Sequence, residues 1–218
     1  MKRLFVSSLL LFASLAAFAE APQVGREELL KRAQAALDEV SKGPQIWTAK
    51  IREAPDYGIQ ADNFSFDEGG DEGTFYLKFP GKYRIRWNAN NEAYCYDGQE
   101  IHLWNGTSEN APIKLSQTAF SSLVAGSLTG PVHVGAISQQ ELRFEGKKQP
   151  IILLDLESAQ DPNRDNTVRI YMTGTGKTRI IGFRVPTERR SGYNPDYINY
   201  WLRDFHPEPL DTNIFKPH

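Results

Sequence analysis

Residues whose types and spacing could carry chemistry are few in this chain, and each fails on its own geometry. Gly174-Thr175-Gly176-Lys177-Thr178 has the close of a phosphate-binding loop. That cradle needs a glycine five positions before Gly176, where Tyr171 stands, and it must open a helix. The run joins two strand-like stretches instead, which predicts a hairpin turn. Asp161, Asn163 and Asp165 alternate like the ligands of a calcium loop, but Asn166 and Met172 occupy the positions that need glycine and a bidentate acid. A polar turn is the expectation there.

His102, His133, His206 and His218 share no metal-ligand spacing. Cys95, between Tyr94 and Tyr96, reads as a small apolar side chain. No serine sits in a G-x-S-x-G elbow. Asn63-Phe64-Ser65 and Asn105-Gly106-Thr107 match the glycosylation sequon, a pattern too short to separate from chance. The expectation is a non-enzyme with no metal and no cofactor.

Composition bounds the class without naming a function. A chain of 218 residues suits one domain or two small ones, and 40% hydrophobic with 11% aromatic residues can fill a core. With 25 Lys+Arg against 27 Asp+Glu, the net charge of -2 lacks the basic footprint of a nucleic-acid binder. A single cysteine excludes an internal disulfide framework.

The start of the chain reads as an address. Lys2 and Arg3 form a positive segment, Leu4 to Leu15 is apolar apart from Ser7, Ser8 and Ser14, and Ala17-Phe18-Ala19 is a small-x-small cleavage site. Residues 1–19 are therefore expected to be a secretory signal peptide cleaved after Ala19, with residues 20–218 forming a single exported domain. The apolar run is short for a membrane span. No cysteine follows the cleavage site, so the mature protein is not expected to be lipidated.

The elements that must position any site are one helix followed mostly by strands. Across Gly25 to Lys42, Leu29, Leu30, Ala33, Leu37 and Val40 fall on one face of a 3.6-residue period. Glu27 and Glu28 suit its first turn, and Gly43-Pro44 ends it. The period then changes to two, most cleanly where Tyr83, Ile85 and Trp87 alternate with Lys82, Arg84 and Arg86. Pro80-Gly81 and Asp97-Gly98 are turn signals. Thr118 to Leu128 predicts a second helix carrying Phe120, Leu123 and Val124. Further strands are expected at Leu142–Phe144, Ile151–Leu156, Val168–Met172, Ile180–Val185 and Ile198–Phe205. The pattern is a mainly antiparallel sheet long enough to curl.

A surplus of aromatic and apolar side chains along strand faces remains. Phe75, Leu77, Phe79, Tyr83, Ile85, Trp87, Ile101 and Leu103 would share one side of successive hairpins. They are either a packed sandwich or barrel core, or the wall of an apolar cavity for a lipid.

Those residues carry a family resemblance. The order of helix and strands, then Leu77-Lys78-Phe79-Pro80-Gly81-Lys82-Tyr83-Arg84, Tyr96-Asp97-Gly98-Gln99 and Leu103-Trp104, resembles the LolA family of periplasmic lipoprotein carriers. The closing Leu210-Asp211-Thr212-Asn213-Ile214-Phe215-Lys216-Pro217 is also similar. The likeness runs from about Glu27 to Pro217.

It implies an α+β, mainly β fold: an unclosed, curled antiparallel half-barrel of roughly eleven strands, with helices as a lid over an apolar concave face. The implied cavity is walled by Trp47, Phe75, Leu77, Phe79, Tyr83, Ile85, Trp87, Ile101, Leu103, Phe120 and Leu123. The implied ligand is lipoprotein acyl chains or another lipid. The implied partners are an inner-membrane release complex and an outer-membrane acceptor, in the periplasm and without ATP. In the family an arginine before the proline holds the lid by hydrogen bonds. Here Phe79 stands there, and alternation turns Arg84 and Arg86 the other way. A lipid-binding envelope sensor that transports nothing, and an exported enzyme, stay open as alternatives.

Overall fold

The computed structural model describes residues 24–41, 45–56, 71–78, 82–89, 93–96, 100–104, 113–114, 132–158, 167–186 and 197–216. Its one α-helix among these, α1 (Arg26–Ser41), has Glu27 and Glu28 in its first turn and buries Leu29, Ala33, Ala36 and Val40. Leu30 and Leu37, expected on that face, are half-buried at its margins.

Eleven strands follow among the described residues: β1 (Ile46–Asp56), β2 (Glu72–Lys78), β3 (Lys82–Trp87), β4 (Ala93–Tyr96), β5 (Glu100–Trp104), β6 (Ile113–Lys114), β7 (Val132–Phe144), β8 (Lys147–Ser158), β9 (Val168–Thr173), β10 (Ile180–Pro186) and β11 (Tyr197–Glu208). They form one sheet in the order β6-β5-β4-β3-β2-β1-β11-β10-β9-β8-β7, and each neighbouring pair is antiparallel. The mainly β, antiparallel sheet expected from the period-two runs is thus what the chain forms, and it is unclosed, as the family resemblance implies. A 3-10 turn, η1 (Thr212–Phe215), capped by the Asp211 carboxylate on the Asn213 amide, closes the described chain.

The expected strand at Leu142–Phe144 is ten residues longer at its start. β7 lies at an edge of the sheet, and its residues 134–141 are exposed or half-buried without a clean apolar alternation. Hydrogen bonding to β8 over the whole of Val132–Phe144 holds it in the sheet. The β7–β8 turn has Glu145 and Gly146 at φ 52° and 72°, the paired left-handed conformation that matches strand twist in a two-residue hairpin. Gly174 to Thr178 forms the turn between β9 and β10, as expected.

Cross-sheet contacts show that the sheet is strongly curled. Three strand steps separate β2 from β10, about 14 Å in a flat sheet. The rings of Phe75 and Phe183 are nevertheless 6.1 Å apart. Trp87 on β3 and Tyr200 on β11, also three steps apart, lie at 6.5 Å. Side chains can converge so only on an inward-bent face.

That concave face carries two packed groups. One is aromatic and holds Trp47, Phe75, Leu77, Tyr83, Ile85, Trp87, Phe183 and Tyr200. The other is aliphatic: Leu29, Ala33 and Ala36 of α1 pack on Ile152, Leu154, Ile170 and Met172. Leu156 and Ile180 touch both groups, so α1 lies on the same side of the sheet as the aromatic cluster. The opposite face of β7–β11 has its own apolar layer, with Phe144, Tyr171 and Trp201 at its centre.

Candidate functional site

The site is built by residues that leave the ends of regular elements. Along β11, Ile198, Tyr200 and Leu202 face the concave side, and strict alternation would place Asp204 there next. The register against β1 instead slips between Thr48↔His206 and Lys50↔Arg203, leaving two β11 residues opposite Ala49. This is a β-bulge, and Asp204 takes its left-handed position at φ 55°. The His206 Nδ1–H donates to the Asp204 carbonyl across it. The extra residue inverts the phase of the strand and turns Phe205 inward. Phe205 then packs on Trp47 at 4.9 Å and on Phe75 at 6.4 Å.

α1 is fastened over this end of the sheet by polar contacts. Arg32 Nε donates to Thr178 Oγ1 at 3.0 Å, and its Nη2 donates to the Gly174 carbonyl at 2.8 Å. Lys177 meets the Glu39 carboxylate at 2.8 Å, with both side chains largely in solvent. The turn itself is closed by Thr173, whose hydroxyl donates to the Lys177 carbonyl at 3.1 Å and accepts from the Arg179 amide at 3.0 Å.

Between helix, turn and bulge lies a cleft of about 260 Å³. Its apolar lining is Ala36, Val40, Trp47, Ile180 and Phe205, and Glu39, Lys177, Arg179 and His206 supply charge and polarity. A second cleft of about 430 Å³ opens on the other side of Arg179, Ile180, Phe205 and His206. Arg203 and Glu145, paired at 3.1 Å, and Asp204 lie in this second cleft. An apolar cavity of about 150 Å³ can hold a benzene molecule, so the first cleft has room for a length of hydrocarbon.

The structure brings Trp47, Phe75, Leu77, Tyr83, Ile85 and Trp87 into one buried cluster on the concave face. Of these six, Trp47 lines the first cleft. The strand register continues outward from that cluster, with Ile85 opposite Tyr94 and Tyr94 opposite Leu103, and with Tyr83 opposite Tyr96 and Tyr96 opposite Ile101. Phe79, Phe120 and Leu123, with the expected helix Thr118–Leu128, lie outside the described residues. Arg84 does point away from the cluster, donating to the Ile214 carbonyl at 3.0 Å.

Sequence reasoning missed Phe205, Val40 as a cleft residue, and Arg179. Phe205 had a signal: apolar side chains in Ile198–Phe205 switch from even to odd positions, as a bulge requires.

One carboxyl group near the aromatic cluster is perturbed. Burial raises the pKa of Glu53 above the usual carboxylate range and the charge of Asp71 raises it further, while a hydrogen bond with Tyr200 opposes both. No helix among the described residues is long and apolar enough to cross a membrane.

No protein-family profile and no curated protein sequence matches the chain. Solved structures similar to it include lipoprotein LppX of Mycobacterium tuberculosis, at 12% identity and a TM-score of 0.45, covering 86% of this chain and 99% of that one. A LolA superfamily protein of Nitrosomonas europaea is similar at 14% identity and a TM-score of 0.38, over 89% of this chain and 98% of that one. An outer membrane lipoprotein-sorting protein domain of Vibrio parahaemolyticus is similar at 10% identity and a TM-score of 0.42, over 87% and 97%. LolA-superfamily and lipoprotein-sorting structures are thus what the chain is similar to. Likenesses this loose carry no weight for function, which has to be argued from the face and the cleft.

Proposed function

We propose that this protein is a periplasmic carrier that shelters the acyl chains of a lipoprotein or other lipid against its concave sheet face and moves them between membranes without ATP. The observation that carries this reading is the continuity between the aromatic cluster and the first cleft: Trp47 and Phe205 belong to both. An acyl chain entering the cleft meets apolar wall, then rings whose contacts can be exchanged for contacts with lipid.

The energetics suit a carrier. Each methylene withdrawn from water is worth about 0.8 kcal/mol, so a long acyl chain costs on the order of 10 kcal/mol to leave exposed. Apolar contact is non-directional, so the load can pass to another apolar surface without a chemical step. α1 serves in this reading as part of a lid. Near the cleft it is held by the Arg32 hydrogen bonds and an exposed ion pair. A contact such as Lys177–Glu39 is worth about 0–1 kcal/mol, so it opens readily.

Native mass spectrometry of the mature protein purified without detergent, followed by organic extraction, tests the proposal. A discrete added mass that extracts as lipid is the expected result. A clean apo mass together with no uptake of a fluorescent fatty acid would overturn it. Transfer of the load to acceptor vesicles separates a carrier from a protein that only binds.

A further inference from the structure

The polar residues at the mouth of the cleft are not arranged as a neutral rim. Arg179 lines both clefts, and its guanidinium has no hydrogen-bond or ion-pair partner among the described residues. Its main chain is pinned on both sides, the Arg179 amide donating to Thr173 Oγ1 at 3.0 Å and its carbonyl accepting from the Thr173 amide at 2.9 Å. The base of the side chain is therefore fixed while its charged end stays open. Lys177 stands two residues earlier on the same turn. His206 also lines both clefts; its Nδ1–H is committed to the Asp204 carbonyl, and its Nε2 donates only when the ring is protonated. The acidic groups nearby are already matched, Glu39 with Lys177 and Glu145 with Arg203, while Asp204 lies in the second cleft beside Arg203 and His206.

Val40, Trp47, Ile180 and Phe205 line the same cleft as this open cation, so a charged end and an apolar end lie side by side, the polarity of an amphiphile's complement.

We propose that this cleft is a headgroup subsite for an anionic lipid. The guanidinium of Arg179 takes a phosphate or carboxylate at the mouth, with Lys177 and His206 beside it. The tail runs along Val40, Ile180 and Phe205. The inference rests on the acyl-chain reading above and adds a charge requirement to it. Guanidinium and phosphate pair with charge assistance and in two-pronged geometry, which a neutral headgroup cannot match.

Binding of dodecyl phosphate, dodecanol and inorganic phosphate to the full mature chain, followed by tryptophan fluorescence and calorimetry, tests the subsite. The expected result is that dodecyl phosphate binds about ten-fold or more tightly than dodecanol, and that inorganic phosphate alone binds negligibly. Arg179→Gln should lower dodecyl phosphate affinity far more than dodecanol affinity and so erase the preference, and Arg179→Lys should restore part of it. Arg179 is exposed, so neither variant disturbs a packed core. Equal binding of the two amphiphiles by the unaltered protein would overturn the headgroup subsite and leave lipid binding standing. Failure of both amphiphiles to bind would overturn the acyl-chain reading and the subsite with it. Inorganic phosphate binding as tightly as dodecyl phosphate would also overturn the subsite, because the tail would then contribute nothing.

Discussion

The two halves of the sheet solve different problems with the same strand geometry. Strands β8 and β9 are buried on both faces: Ile151 and Ile152 are neighbours in sequence, point to opposite sides, and are each 0% exposed. Strands β2 and β3 bury one face only, as does β1 beyond Thr48, whereas Ile46 and Thr48 at its start are buried on the opposite face. Phe75, Leu77, Tyr83 and Ile85 are inside, while Lys50, Tyr76, Arg84 and Arg86 on the other face are exposed or half-buried. On the concave side the first half is aliphatic and clamped by α1, and the second is aromatic and ends in the cleft. A scaffold needs interlocked branched side chains, which resist rearrangement. A surface that exchanges ligands is better made of rings that can slide and restack at modest cost.

The sharpest way to break this comparison is to weaken the scaffold alone. Ile152→Ala in the layer beneath α1 should lower stability by about 2–5 kcal/mol, read from urea unfolding. Lipid uptake per folded molecule should be unchanged, and a parallel loss of uptake would mean the halves are not separable. Gly182→Ala should cost about 1–3 kcal/mol in thermal unfolding, because the added carbon would sit 2.6 Å from the Tyr200 carbonyl and 3.1 Å from the Trp201 ring. Here too the burden falls on structure, so ligand affinity should follow only the folded fraction.

The aromatic half should show the reverse pattern. Phe205→Ala removes a half-buried ring from Trp47 and Phe75, with an expected stability loss of about 0.5–1.5 kcal/mol. Lipid retention in a dilution assay should fall much further than stability does. Retention equal to the unaltered protein would remove Phe205 from the site. The smallest expected effect is at Glu53. Its raised pKa means the folded state disfavours the ionised form, so this contribution to stability is present below the unfolded carboxylate range and is lost as pH rises through the raised value. Glu53→Gln should flatten the fall in stability as pH rises above the ordinary glutamate range of about 4, and parallel profiles for the two proteins would contradict the burial argument.

Much of this division was legible in the chain. The run Ile151-Ile152-Leu153-Leu154 has no alternation, as a strand buried on both faces requires, whereas Lys82-Tyr83-Arg84-Ile85-Arg86-Trp87 alternates strictly, as a strand with one wet face does. The helix and the Gly174–Thr178 turn were readable for equally local reasons, namely periodicity, charge at the first turn, and glycines between strands. β7 was not fully readable, because an edge strand with a largely exposed surface carries little apolar pattern and is held by its ladder to β8.

Local chemistry, which acts between near neighbours in the chain, therefore determined most of the strands other than the start of β7, which face of β2 and β3 is apolar, and that this face is rich in rings. Only the tertiary structure decided where those faces meet. The curl that brings Phe75 to Phe183, the bulge that turns Phe205 onto Trp47, and the seating of α1 through Arg32 and Lys177 all join residues distant in sequence. No period within a window of residues encodes them, because each depends on register and curvature summed across several strands. The cleft, with its open guanidinium beside an apolar wall, exists only at that level.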